Sequence, residues 1–189
     1  MTIEPLNETP SQTAGPYVHI GTLPSVAGLN VRTQEKLDVA APANAAGERI
    51  FIEGTVRDGA GSLVVDAVLE LWQADSKGKL PGFWGRAATD FKTGLYRFET
   101  VKPGKVAGAP DAPFVTLLLF ARGLNIHLHT RMYFADEKDA NAADPTLKAV
   151  GDPALAATLI GARSTESGKT VYRFDIVLQG DGETVFFDI

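Results

Sequence analysis

Apolar residues along this chain recur mostly at every second position, the period of a strand with one face in a core. Val68-Leu69-Glu70-Leu71-Trp72-Gln73-Ala74-Asp75 shows this most plainly, an apolar stretch running into a polar corner. Alternation puts Val68, Glu70 and Trp72 on one face and Leu69 and Leu71 on the other, and Trp72 is large enough to anchor a core. Upstream, Ile50, Ile52, Gly54 and Val56 alternate with Phe51, Glu53, Thr55 and Arg57. Asp58-Gly59 follows, a dipeptide tolerant of positive φ, so a hairpin returning through about Ala67 to Trp72 is expected. Leu95 to Thr100 sets Tyr96 and Phe98 on one face and turns at Lys102-Pro103-Gly104. Phe114 to Phe120 is a continuous apolar run, which predicts a strand buried on both faces. Ile126 to Phe134 separates Ile126, Leu128, Thr130, Met132 and Phe134 from His127, His129, Arg131 and Tyr133. Thr170 to Leu178 alternates again, before a Gly180-Asp181-Gly182 turn and Thr184-Val185-Phe186-Phe187.

The breaks in the pattern are as informative. Asp144-Pro145 and Asp152-Pro153 each place a capping acid before a proline at the first helical position, with Gly151 and Gly161 where two short helices should stop. Asp75 to Thr93 reads as a loop in which Phe83 and Trp84 need cover, from the loop itself or from a partner chain. Thr9-Pro10-Ser11-Gln12-Thr13-Ala14-Gly15-Pro16-Tyr17 argues against a regular helix or a central strand and predicts an extended arm. Tyr17-Val18-His19-Ile20 alternates and would tie that arm down. The expected organisation is an N-terminal arm over residues 1–20 and a single all-β sandwich domain with short helices over residues 21–189.

Composition narrows the function classes. With 189 residues, 44% of them hydrophobic, one domain can build a full core. A formal net charge of -5 disfavours nucleic-acid binding, and no apolar run is long enough to span a membrane. The sequence holds no cysteine, which excludes disulfides, thiolate metal sites and a cysteine nucleophile; with no signal-peptide pattern at the N-terminus, the cytoplasm is the expected compartment.

Candidate chemistry is sparse. His127 and His129, two apart on a strand, share a face and could contribute to a metal site only with further ligands; a wet or partner-facing strand explains them better. No nucleophile elbow or phosphate loop is present, and Gly168-Lys169-Thr170 reads as a hairpin turn. Arg122, beside Gly123 at the end of the apolar strand, could grip a carboxylate with both ends of its fork.

Taken together, several stretches resemble the intradiol ring-cleaving dioxygenases, and among them the alpha chains of the heteromeric members. They are Glu8 to Gly21, Glu70-Leu71-Trp72-Gln73-Ala74-Asp75, Thr100-Val101-Lys102-Pro103-Gly104, Phe120 to Arg131, and Tyr172 to Asp188. The resemblance implies a β-sandwich of the intradiol dioxygenase type with an extended N-terminal arm. In that family a non-haem Fe(III), held by two tyrosines and two histidines, serves the opening of a catechol ring by O2. The heteromeric enzymes carry it in the beta chain. At the family's ligand places this sequence has Val106, Phe114 and Thr116, and a shortened loop from Ser76 to Ala88 without tyrosine. The resemblance therefore implies no metal ligand and no catalytic residue in this chain, Fe(III) in a partner beta chain, and an alpha-beta hetero-oligomer. It further implies that Arg122, Thr13, Gly15 and Pro16 line the substrate cavity beside the partner's iron, for protocatechuate or another anionic 4-substituted catechol. Another reading of the same residues is a β-sandwich binding module that kept the fold without the partner.

Overall fold

A computed structural model describes residues 12–15, 17–29, 31 and 35–188. Within them lie α1 (Tyr17–Thr22), β1 (Arg49–Arg57), β2 (Val68–Gln73), β3 (Phe83–Ala88), β4 (Leu95–Val101), β5 (Phe114–Phe120) and β6 (Leu128–Phe134). After these come α2 (Lys138–Ala143), α3 (Pro145–Val150), α4 (Pro153–Ala157), β7 (Ile160–Glu166), β8 (Lys169–Arg173) and β9 (Ile176–Val177).

The strands run in the order β3-β2-β5-β6-β7-β8-β1-β4, with β9 paired to the end of β1. β7 starts beside β6 and ends beside β8, so it carries the path from one layer of the sandwich to the other. Leu69, Leu71, Leu117, Leu119, Met132 and Phe134 face Ile50, Ile52, Tyr96, Phe98 and Tyr172 across a fully buried core. Where β1 passes closest to the C-terminal segment it carries Gly54, because a side chain there would overlap the Phe174 carbonyl; that carbonyl also accepts a hydrogen bond from the Tyr96 hydroxyl at 2.5 Å.

A smaller core of Ala112, Tyr133, Leu147 and Leu159 forms under the helices, pinned by the fully buried Asp144. Its carboxylate caps α3 by accepting from Leu147 N at 2.9 Å, and accepts from Ala112 N at 2.8 Å and the Tyr133 hydroxyl at 3.3 Å. The two Asp-Pro helix starts are present as read, and Asp152 caps α4 through Ala154 N at 2.7 Å. Gly151 closes α3 in a positive-φ conformation, but α4 ends at Thr158 and Gly161 already belongs to β7.

The structure departs from the pattern in four further places. β1 and β2 are not a hairpin. The Asp58 turn returns only far enough for Leu63 to bridge Arg57, and β2 then enters the other layer between β3 and β5. β3 occupies what read as loop, since Gly85 and Arg86 interrupt its apolar pattern and only pairing with β2 reveals it. β5 is not buried on both faces; Val115, Leu117 and Leu119 fill the core, while Phe114, Thr116, Leu118 and Phe120 are partly exposed on the outer face. Tyr17–Thr22 forms a short helix rather than an extended tie. Residues 1–11 and Pro16, most of the expected arm, lie outside the described residues. Among the described residues no helix is long and apolar enough to cross a membrane.

Candidate functional site

Two features set the β2-β5 ladder apart, one at its end and one on its outer face. The antiparallel register sets Val68 opposite Phe120. Asp66 and Arg122 lie two residues beyond that last pair, in the turns at that end, and the Asp66 carboxylate meets Arg122 Nε in an ion pair. The Asp66 side chain is 19% exposed and that of Arg122 66%, so a sheltered carboxylate holds the neck of a guanidinium that reaches into solvent. No other hydrogen-bond partner of this guanidinium appears among the described residues. Asp66 is itself well anchored: the next residue, Ala67, donates to the buried Thr89 hydroxyl at 3.0 Å and accepts from Thr89 N at 2.9 Å.

The arm meets the same corner. Thr13 Oγ1 accepts from Gly123 N at 2.7 Å, and Ala14 N donates to the Leu124 carbonyl at 3.4 Å. The Gly15 carbonyl then accepts from Val18 N at 3.1 Å as the chain enters α1, and no heavy atom lies within 4 Å of where a Gly15 side chain would start. Thr13 and Arg122 are thus brought together, Gly15 stands at the start of α1 a few residues away, and Pro16 is outside the described residues. α1 turns Tyr17, 78% exposed, toward solvent and buries His19 against Phe91 with ring centroids 5.4 Å apart. Burial lowers the His19 pKa, opposed in part by the Asp66 charge.

On the outer face of β2, β3 and β5 lies a largely apolar cavity of about 460 Å³, with Trp72, Trp84, Phe83, Val106, Phe114 and Thr116 among its lining. Trp72 is 49% exposed here, so it belongs to this cavity and not to the sandwich core. Its ring lies 6.0 Å from that of Trp84, and both indoles lean on Glu70, whose Oε2 accepts from Trp72 Nε1 at 3.3 Å and from Trp84 Nε1 at 3.5 Å. Glu70 Oε1 in turn accepts from Arg86 Nε at 3.0 Å and Nη2 at 2.5 Å, with the guanidinium 5.0 Å from the Trp84 ring centre. Gln73 spends its amide on the Ala74 and Val101 carbonyls and its oxygen on the Thr100 hydroxyl. Asp111 pairs with Arg131 at 3.2 Å. Glu70, Gln73 and Asp111 beside this cavity therefore find their partners within the chain.

Val106, Phe114 and Thr116, the positions at which the resemblance sets iron ligands, come together in this one cavity. The residues present do not fit ferric iron: valine and phenylalanine carry no donor and a threonine hydroxyl is a poor one. The tyrosine hydroxyls are elsewhere, on Phe174 O from Tyr96, Asp144 from Tyr133 and Asp136 from Tyr172, while Tyr17 is on α1. Burial first, then hydrogen bonding to Asp136, pushes the Tyr172 pKa up to about 12.

His127 and His129 lie apart from that cavity, in a separate pocket closed by Gln12 and Ala14 of the arm. His127 packs on Phe120 with centroids 5.5 Å apart, and His129 meets the edge of Phe187 at 6.2 Å. Burial, then the charges of Arg131 and His127, lower the His129 pKa. Among the described residues no third His, Cys, Asp or Glu joins them in a metal-binding group. The sequence singled out Arg122 and Thr13 and gave no sign of Asp66, whose ion pair with Arg122 appears only in the fold.

The family model described as a dioxygenase matches residues 25–180. The protocatechuate 3,4-dioxygenase alpha chain of Pseudomonas putida is 52% identical over 200 aligned residues, 100% of each chain. The protocatechuate 3,4-dioxygenase beta chain of Burkholderia cepacia is 34% identical over 162, covering 73% of this chain and 67% of that one. The dioxygenase domain of a carbohydrate-binding fusion from Streptomyces sp. SirexAA-E superposes with a TM-score of 0.57 at 22% identity, over 77% of this chain and 86% of that one, which shows the shared fold. With the all-β sandwich and these matches together, the chain belongs to the intradiol ring-cleaving dioxygenases, beside the protocatechuate 3,4-dioxygenase alpha chains.

Proposed function

We propose that this chain is the alpha subunit, without iron of its own, of a heteromeric Fe(III) intradiol dioxygenase. The assembled enzyme opens protocatechuate, or a related anionic 4-substituted catechol, with O2 to a carboxy-cis,cis-muconate. Its partner is a beta chain that carries the metal, and the likeness to a named beta chain at 34% identity supports a partner of the same fold. One observation carries the reading: the cavity at the family's ligand positions has no donor set for iron, while the arm and Arg122 are gathered at an exposed corner of the same ladder.

In the assembly this chain's residues bind and shape. The Arg122 guanidinium supplies positive charge for the ring's carboxylate. Thr13 holds the arm on the Arg122-Gly123 turn. Gly15 and Pro16 offer backbone at close approach, and the arm over residues 1–20 reaches from the domain at 21–189 into the partner's pocket. None of them transfers a proton.

The test is reconstitution. The purified chain alone is expected to carry no iron, no tyrosinate colour and no ring-cleaving activity, and co-expression with a beta chain to give cleavage of a carboxylated catechol. An isolated chain that loads iron and turns over would overturn the proposal, as would size exclusion showing no complex with the beta chain.

A further inference from the structure

We propose that Asp66 is a positioning residue for the substrate anion: it fixes the Arg122 guanidinium through Nε and leaves the two terminal nitrogens to grip the carboxylate on the ring. The inference rests on the reading above, that Arg122 meets the substrate.

The geometry follows from the fold around the end of the ladder. Asp66 and Arg122 lie two residues beyond Val68 and Phe120, the pair that ends the β2-β5 ladder, and their side chains meet in an ion pair. Thr89 holds the backbone beside Asp66 from within the fold, and Thr13 holds the Gly123 amide from the arm. Arginine in free solution samples many rotamers, and a ligand must order it on binding. With Nε engaged by a carboxylate on a fixed backbone, that ordering is done before the substrate arrives. The pair has little other purpose. A guanidinium as exposed as that of Arg122 gains little fold stability from an ion pair.

A competing effect has the opposite sign. The Asp66 charge also repels an anion bound to the far side of the guanidinium. At roughly 7 Å in a water-like dielectric that repulsion is worth about threefold in affinity at most. Ordering a long side chain is worth up to about tenfold. Positioning therefore wins, and removing the Asp66 charge should weaken anion binding rather than strengthen it.

The experiment uses the enzyme assembled with its beta chain, as wild type, Asp66→Asn, Arg122→Ala and the double variant. Calorimetry measures binding of 4-hydroxybenzoate, which lacks one of the two hydroxyls needed for ring opening, and of phenol, which lacks the carboxylate. Kinetics measures KM and kcat for protocatechuate and for unsubstituted catechol. Asp66→Asn is expected to weaken 4-hydroxybenzoate and raise KM for protocatechuate about threefold, at unchanged kcat and iron content, and to leave phenol and catechol alone. In the Arg122→Ala background the same substitution should do nothing further, a coupling that a general loss of structure would not produce. Tighter 4-hydroxybenzoate binding by Asp66→Asn, an equal loss for phenol, or a loss that persists without Arg122 would each overturn the inference while leaving the alpha-subunit reading intact. A silent Arg122→Ala would overturn the inference together with the reading that Arg122 meets the substrate, and would leave the alpha-subunit reading to the reconstitution test.

Discussion

The outer face of the β2-β5 ladder and its end are built from the same two strands, yet they hold different chemistry. On the face, Trp72, Trp84, Phe114 and Val106 keep a cavity of about 460 Å³, and the charged and amide groups beside it are paired inside the chain: Glu70 by Arg86 and two indoles, Gln73 by three partners, Asp111 by Arg131. At the end, the Arg122 guanidinium is tethered at Nε and otherwise open to solvent. A shape can persist on apolar packing alone after its donors are gone, because packing needs only volume. A binding group must keep an unspent charge, and the exposed Arg122 guanidinium has one to offer. The face keeps its shape by packing, and the corner is the one proposed to bind.

The largest expected effect separates these roles on the stability side. Glu70 and Arg86 are largely sheltered beneath the two tryptophans, so Glu70→Ala leaves the guanidinium with only the Thr22 carbonyl at 3.2 Å and takes the acceptor from both indole N–H groups. Breaking charged hydrogen bonds in a part-buried pair costs about 2 kcal/mol. Denaturant unfolding should show that loss, and a change below 1 kcal/mol would mean that the pair is effectively solvated. The next effect is on binding. Arg122→Ala removes charged hydrogen bonds worth roughly 1.5 kcal/mol or more, so KM for a carboxylated catechol should rise at least about tenfold in the assembled enzyme, with stability and iron content nearly unchanged. If iron falls while KM stays, the corner is an assembly contact and not a binding one. A third variant, Val106→Phe, fills part of the cavity. It should change KM by less than about twofold and hold or raise Tm, as cavity filling commonly does. A tenfold loss of activity would place the cavity in the working site and erase the distinction.

Much of this was legible in the residues, and the misses share one cause. The alternation over 50–57 and 95–100, and over 126–134 from Leu128 onward, gave real strands because each has a face in the sandwich core, whereas Ile126 is exposed ahead of its strand. The Asp-Pro pairs gave α3 and α4 because caps are local chemistry. Pairing is not local. Asp58-Gly59 favours a turn, but the partner of β1 is β4, some forty residues on, and the partner of β2 is β5. β3 escaped notice since Gly85 faces Leu71 in a strand defined by its neighbour. The outer residues of β5 read as buried because hydrophobicity cannot distinguish a core face from a cavity wall. Arg122 stood out by its place after an apolar run; Asp66, an ordinary acid in a loop, acquires its meaning only from the ion pair that the fold lets it make.

The smallest expected effect concerns pH and compares the corner with the pocket under the arm. His19, near Asp66, and His129, near Arg131 and His127, both have pKa values lowered chiefly by burial, from an ordinary value of 6.5. Above that value both are neutral, folded or unfolded, and contribute nothing to the pH dependence. As pH falls through 6.5 the unfolded chain takes up protons that the folded chain still refuses, so stability declines until the folded values are passed. Asp136 and Asp175 behave differently. Their folded values lie below 3.8, held down by hydrogen bonds from Lys102 and Tyr172 to Asp136 and from Thr55 to Asp175, against the opposing pull of burial. The stability they contribute is lost only as pH falls below about 3.8 toward those folded values. Between pH 7 and pH 5 the histidines therefore dominate among these four, and Tm of the isolated chain should fall by about 2–4 °C for each kcal/mol lost. His129→Gln should flatten the decline more than His19→Gln, because the neighbours of His129 are positive and oppose its protonation while the Asp66 charge favours that of His19. Equal flattening by both would mean that the Asp66 carboxylate is spent wholly on Arg122 and exerts no field on the arm.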